Sequence, residues 1–172
     1  MKTIEQHKSL KAYNTFAVEC FCEHFISVNT TEELRAALLN EDFSERFILG
    51  GGSNLLLTKN LSGLCIHVNL KGIRVIEEDD DHAIIEASAG ENWHDFVLWT
   101  LDQGYGGLEN LALIPGNIGT APIQNIGAYG VELKDSFVNC TTLETKTAIP
   151  HRFNLEEVVF GYRNSIFKTD LK

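Results

Sequence analysis

Apolar and polar positions fall into short blocks along this chain, and their period changes several times. Residues 15–28 alternate weakly, with Phe16, Val18, Phe21, Phe25 and Ile26 as the apolar positions, and predict one or two strands. Thr30 and Glu33 then fit a capping box. Leu34, Ala37 and Leu38 recur at helical spacing, which predicts a helix running to about Leu39. An apolar run at residues 46–49 reads as a strand that leads straight into Gly50, Gly51 and Gly52. Leu64, Ile66 and Val68 alternate with Cys65 and His67 as a further strand. Strand, helix, strand in this order predicts a small parallel unit whose crossover helix covers the sheet.

After Asn69 the texture changes. Residues 73–76 and 83–87 read as two strands joined by the acidic turn at residues 77–81, a hairpin with a solvated tip. Residues 91–103 place Trp93, Phe96, Val97, Thr100 and Leu101 on one helical face, with Gly104 as the stop, and both Trp93 and Trp99 read as core. Residues 108–130 then carry Gly116, Gly119, Gly127 and Gly130, Pro115 and Pro122, and little charge. A loop that long inside a compact domain is usually functional. Strands are expected again at residues 137–143 and 147–150, and a short helix at 154–158. The length allows one good-sized domain or two small lobes sharing a core, and there are no internal repeats.

Composition narrows the function classes. The 172 residues are 44% hydrophobic and 22% charged, as expected of a globular chain. The formal charge of -10 disfavours sequence-independent binding of nucleic acid, which depends on cationic side chains. No basic run attracts anionic lipid, no apolar run approaches a membrane span, and residues 1–10 lack the apolar core of a signal peptide. A soluble, cytoplasmic protein is the expectation. Cys20, Cys22, Cys65 and Cys140 include a C-x-C pair, not the C-x-x-C of zinc or redox sites, so they read as small buried hydrophobes in strands and no metal is expected.

Three segments carry candidate chemistry. Leu49-Gly50-Gly51-Gly52-Ser53-Asn54 allows successive N–H groups to converge on one anion without a cationic side chain. It has neither the Lys-Ser/Thr ending of a P-loop nor G-x-G-x-x-G spacing with a following helix, and an ordinary glycine-rich turn remains open. The loop at residues 114–130 allows a flat ligand close to its main chain, with Thr120, Gln124 and Asn125 as neutral partners; a structural Ω-loop is the alternative. Residues 160–168 set Tyr162 beside Arg163, which alone is compatible with a simple salt-bridging arginine.

Together and in this order these segments resemble the N-terminal part of the UDP-N-acetylenolpyruvoylglucosamine reductase (MurB) family. The matching text is Asn14-Thr15-Phe16, the Leu49 to Asn54 string, Ala89-Gly90-Glu91-Asn92-Trp93, Gly107-Leu108-Glu109-Asn110-Leu111 and Ile114-Pro115-Gly116. Residues 122–132 and the segment Phe160-Gly161-Tyr162-Arg163-Asn164-Ser165-Ile166-Phe167-Lys168 complete it.

The resemblance implies an α+β, two-lobed FAD-binding domain of the vanillyl-alcohol-oxidase-like (PCMH-type) superfamily, with a small α/β lobe at residues 1–68 and a larger, incomplete α+β lobe at 69–172. It implies that Gly50, Gly51, Gly52, Ser53 and Asn54 hold the FAD pyrophosphate. Further cofactor contacts are implied at Pro115, Gly116, Gly119, Thr120, Ala121, Gln124, Asn125, Gly127, Ala128, Tyr129 and Gly130. The Gly50 loop has no His or Cys, so the FAD is expected to be non-covalent. NADPH is the implied co-substrate, and the implied reaction reduces UDP-N-acetylglucosamine enolpyruvate, a nucleotide sugar, in peptidoglycan synthesis. Arg163 is the implied catalytic cation, and Tyr162 lines the same substrate side. The family's serine proton donor and late glutamate fall in a C-terminal substrate-binding portion beyond Lys172. The expectation is therefore a chain that binds FAD with little or no turnover by itself. A non-catalytic module of the same fold, or another FAD-dependent oxidoreductase, is the alternative. The oligomeric state is not legible.

Overall fold

The computed structural model describes residues 2–171. Its first part is a four-stranded sheet built from β1 (Glu5–Ser9), β2 (Phe21–Val28), β3 (Arg46–Leu49) and β4 (Leu61–Val68), in spatial order β1-β2-β4-β3. β4 runs parallel to both β2 and β3, and α1 (Thr31–Leu38) is the crossover between β2 and β3. The expected parallel unit is present, with β4 inserted between the strands that α1 joins. Thr30 caps α1 by accepting from the Glu33 N–H at 3.1 Å, and Glu33 reaches back to the Asn29 N–H.

β4 is central, so both of its faces are covered. Leu64 and Ile66 pack with Ile26, Val28, Ala37 and Leu38 on the helix side. Cys65 faces the other way, with Leu10, Cys22, Phe25, Leu49 and Leu57. Cys22 and Phe25 are three residues apart and would face opposite sides of a regular strand. A register shift between Cys22 and His24 puts both in the same cluster.

The second part begins with the hairpin β5 (Ile73–Glu78) and β6 (Ala83–Ala87), followed by α2 (Trp93–Asp102). Trp93, Phe96, Val97 and Thr100 are buried, and a third core forms from Trp93, Phe96, Val97, Leu111, Ala121, Ile126 and Leu133. Residues 108–130 are not plain loop. They contain 3₁₀ turns at Glu109–Leu111 and Ile118–Gln124, and then the minimal hairpin β7 (Gly127–Ala128) and β8 (Val131–Glu132). Tyr129 and Gly130 both have positive φ, 51° and 83°, as a two-residue hairpin turn demands. β9 (Asn139–Leu143) pairs antiparallel with β10 (Pro150–Asn154), and α3 (Leu155–Val158) follows, capped by Asn154. Leu143 and Ala148 from this region pack back onto the helix-side core of the first sheet.

Four local expectations are corrected, and one strand went unread. Residues 15–20 are not strand: Asn14 starts a turn closed by the Ala17 N–H, Ala17 is left-handed, and Phe16 is 66% exposed. β1 went unread because an edge strand of sequence EQHKS has no apolar alternation and is held by its backbone ladder to β2. The strand expected at 147–150 begins only at Pro150, because Ala148 is left-handed and its N–H closes a turn on the Glu144 carbonyl. Leu101 lies about 90° around α2 from the centre of the buried arc at 3.6 residues per turn, and it is 40% exposed. Trp99 is only half-buried, outside the core that holds Trp93.

Candidate cofactor site

The three glycines follow directly from β3, so they emerge at the carboxyl edge of the parallel strands, where ligands bind in open α/β sheets. Each faces a different neighbour. A Cβ on Gly50 would lie 2.8 Å from Thr120 Cγ2, and one on Gly51 would lie 2.6 Å from Asn117 Oδ1. Gly52 has φ +63°, and a Cβ there would sit 1.9 Å from the Tyr13 carbonyl oxygen. The Thr15 N–H also donates to the Gly52 carbonyl at 3.2 Å.

The two glycine-rich loops are tied together side by side. Ser53 Oγ donates to the Pro115 carbonyl at 3.2 Å, and Asn54 Nδ2 donates to Gln124 Oε1 at 3.2 Å. The second loop is held from behind by residues 89–93. Ile118 N–H donates to the Glu91 carbonyl, Gly119 N–H to the Ala89 carbonyl and Trp93 N–H to the Gly116 carbonyl, each at 2.9 Å. Glu91 is fixed in turn by the Gly72 N–H, which its carboxylate accepts at 2.6 Å, and Lys71 Nζ donates to the Gly90 carbonyl.

The N–H groups of Gly51, Gly52, Ser53 and Asn54 have no acceptor among the described residues. Successive unpaired N–H groups on a turn form a concave anion site. They fit a pyrophosphate, and the close fit of Gly50 and Gly51 against the second loop leaves no room for a side chain between the loops. Thr120 Oγ1 turns inward, donating to the Asn117 carbonyl at 2.8 Å. The chemistry of this donor set is neutral, which suits a chain of formal charge -10.

Arg163 lies at the far end of the same loop. It occupies a left-handed turn, φ +52°, and its Nη2 donates to the Gly127 carbonyl at 2.8 Å. Tyr162 is 86% exposed and Tyr129 89% exposed. Ser165, 1% exposed, donates through Oγ to the Ile123 carbonyl at 2.8 Å. Asn125 is fully buried, and both ends of its amide are on main chain: Nδ2 donates to the Gly161 carbonyl and Oδ1 accepts the Lys134 N–H, each at 3.1 Å. Ala121 is also buried, in the third core.

Of the sequence candidates, Gly50, Gly51, Ser53 and Asn54 meet Pro115, Gly116, Thr120 and Gln124, and Gly127 meets Arg163. Sequence reasoning passed over Tyr13 and Asn14, whose backbone seals Gly52, over residues 89–91, which back the second loop, and over Asn117 against Gly51. The signal was the presence of Asn14 and Ala89-Gly90-Glu91 in the matched text. The Glu132 carboxyl beside Asn125 is held below its ordinary value by its hydrogen bond with Lys134. Burial pushes the Cys65 thiol far up and the Cys140 thiol up to about 11, so both stay protonated at neutral pH. Among the described residues, no group of three or more His, Cys, Asp or Glu is placed to hold a metal ion, and no helix is long and apolar enough to cross a membrane.

Residues 23–148 match a family model described as FAD binding domain. A UDP-N-acetylenolpyruvoylglucosamine reductase of Flavobacterium johnsoniae is 53% identical over 169 residues, covering 98% of this chain and 50% of that protein. The enzyme of that name from Pseudomonas putida is 47% identical, covering 95% of this chain and 49% of its own length. The chain thus spans about half the length of the curated relatives it matches. Among solved structures, UDP-N-acetylenolpyruvylglucosamine reductase (MurB) from Thermus caldophilus is similar with a TM-score of 0.74 and 27% identity, over 96% of this chain and 57% of that one.

Proposed function

The chain belongs to the FAD binding domain family, an α+β fold of the PCMH type, and on that premise we propose that it is the FAD-binding portion of a UDP-N-acetylmuramate-forming reductase. The observation that carries the reading is the run of four N–H groups from Gly51 to Asn54 that have no acceptor among the described residues, on a loop tied to a second glycine-rich loop. Those amides hold the pyrophosphate, and the stretches 115–124 and 127–130 form the wall along which the rest of the FAD lies without a covalent link, while Asn125 and Ile126 between them are buried. A small lobe at residues 1–68 supplies the first loop and a larger lobe at 69–172 the second.

Bound FAD would supply the hydride chemistry, accepting from NADPH and donating to the enolpyruvyl double bond of the nucleotide-sugar substrate. The chain's own part is positioning and charge. Arg163 uses one N–H on the Gly127 carbonyl, and its remaining donors bind the substrate carboxylate, on which negative charge builds during reduction. A guanidinium suits that task because it stays cationic across the working pH range. Tyr162, almost wholly exposed beside Arg163, lines the same substrate side.

Titration with FAD tests the reading, followed by flavin fluorescence and by thermal shift. Saturable binding with a stabilisation of about 3 kcal/mol at a hundredfold excess over Kd is expected. Absence of both signals in folded protein would sink it.

A further inference from the structure

The cofactor loop and the Arg163 turn belong to different parts of the sequence, and the side chain that links them most deeply is Asn125. It ends the 3₁₀ turn Ile118–Gln124 in a left-handed conformation, φ +44° and ψ +66°, which Asn tolerates better than most residues. Its side chain is shielded from solvent, so its amide is committed to the protein interior. The donor end holds the Gly161 carbonyl and the acceptor end holds the Lys134 N–H. Gly161 in turn exchanges backbone hydrogen bonds with Asn164, at 3.0 and 3.2 Å, and these close the turn that presents Tyr162 and Arg163.

We propose that Asn125 is a positioning residue: it fixes the Gly161–Asn164 turn, and with it Arg163, against the cofactor loop, and it does not itself touch the cofactor. The assignment rests on the reading of Arg163 as the substrate-side cation. Ser165 makes a second tie through the Ile123 carbonyl and Lys168 a third, to the Arg163 carbonyl at 2.8 Å. Neither reaches Gly161, the base of the turn. Without the Asn125 donor, that end is left with only its own closing hydrogen bonds.

Asn125→Asp is the discriminating variant. It keeps the volume and the acceptor for Lys134, and it sets a carboxylate oxygen against the Gly161 carbonyl in place of an N–H. Hydrogen exchange of the 172-residue chain at pH 7.5 is expected to show protection of residues 161–166 falling at least about tenfold, the scale of one lost buried hydrogen bond. Protection in α2 and β4 is expected to stay within about twofold of the unmodified chain, so that the loss is local and not global. Protonating the introduced carboxylate restores a donor, so protection factors of the turn are expected to recover as pH falls toward 5. The charged group against this position is Glu132, paired with Lys134 at 2.7 Å, and Asp135 and Arg163 are the further charges on the two turns that Asn125 joins. These charges largely offset one another, and burial together with the facing Gly161 carbonyl oxygen favours the protonated acid and moves the recovery to higher pH. FAD affinity is expected to remain within about threefold of the unmodified chain.

Unchanged exchange at residues 161–166 overturns the proposal, and so does a loss of protection spread evenly over the chain. A loss of FAD affinity beyond about tenfold with the fold intact overturns it too, because Asn125 then contacts the cofactor. If Asn125→Asp does not fold, Asn125→Gly keeps the left-handed backbone and must show the same local loss without recovery at low pH. If the unmodified chain binds no FAD, the cofactor reading fails by itself while the exchange experiment still decides whether Asn125 holds the turn.

Discussion

Arg163 donates through Nη2 to the carbonyl of Gly127, 2.8 Å away and 36 residues earlier in the chain. This contact joins the residue assigned to substrate charge to the loop assigned to the cofactor. Arg163→Lys should keep the cation but lose the planar fork that can hold a carbonyl and a carboxylate together. FAD affinity should change less than about threefold, since the tie is one exposed hydrogen bond of roughly 1 kcal/mol or less. A flavin fluorescence titration of the variant checks this, and a large loss would show that Arg163 helps to hold FAD.

Gly52→Ala and Gly104→Ala separate backbone strain from collision. Both glycines have positive φ, but a Cβ on Gly104 meets nothing within 4 Å, whereas on Gly52 it would overlap the Tyr13 carbonyl. Gly104→Ala should cost about 1 kcal/mol, the cost of the left-handed conformation. Gly52→Ala should cost at least about 2–3 kcal/mol and weaken FAD binding, because the loop itself must move. Urea denaturation of both variants, with an FAD titration of each, reads the difference.

Asn14 is 6% exposed and organises residues 10–18 from inside. Its Nδ2 donates to the Leu10 and Val18 carbonyls at 2.8 and 3.1 Å, and its Oδ1 accepts the Val18 N–H at 2.9 Å. Asn14→Ala leaves the half-buried Val18 N–H and carbonyl without partners, while the Leu10 carbonyl keeps the Tyr13 N–H, so a loss of about 1–3 kcal/mol is expected. The Tyr13 carbonyl that seals Gly52 is part of this turn, so FAD affinity should fall as well. A stability loss with unchanged affinity would show that the seal is not needed for binding.

Trp93 donates through Nε1 to the Leu111 carbonyl at 2.8 Å inside the third core. Trp93→Phe removes the donor, strands that carbonyl and leaves a partial cavity. A destabilisation of about 2–4 kcal/mol follows, measurable as a shift of the urea midpoint.

Stability should be highest between about pH 6.5 and 9. Burial and the charges of Lys71 and Lys2 hold the His67 pKa below its ordinary value, so its contribution is complete above pH 6.5 and is lost as pH falls. Cys140 and Cys65 behave in the opposite sense. Their folded pKa values lie above the ordinary 9.0, so their contribution is complete below pH 9 and is lost as pH rises toward 11 and beyond. Urea midpoints across pH 5–11 test both limbs, and Cys140→Ala should flatten part of the alkaline one.

The parallel unit was legible because β2, α1 and β4 bury continuous or periodic apolar positions, and the Thr30 cap formed as read, although Glu33 returns to the Asn29 N–H and not to that of Thr30. β1 was not, because a polar edge strand is specified by the open backbone edge of β2 and not by its own side chains. The same holds for the left-handed turns at Ala17 and Ala148, where no glycine announced a break.

By itself the sequence determined that two glycine-rich loops and a Tyr-Arg pair exist, and what each could bind. Glycine content and spacing are local properties, and the chemistry of a free N–H does not depend on distant contacts. Only the tertiary structure decided that the loops lie side by side, through Ser53 on Pro115 and Asn54 on Gln124, with residues 89–91 behind them. It also decided that Asn125, which reads as one more polar group in a loop, is buried with its amide already committed. Which partner a polar side chain finds depends on which distant segments the core brings to it, and hydrophobic periodicity along the chain carries no record of that.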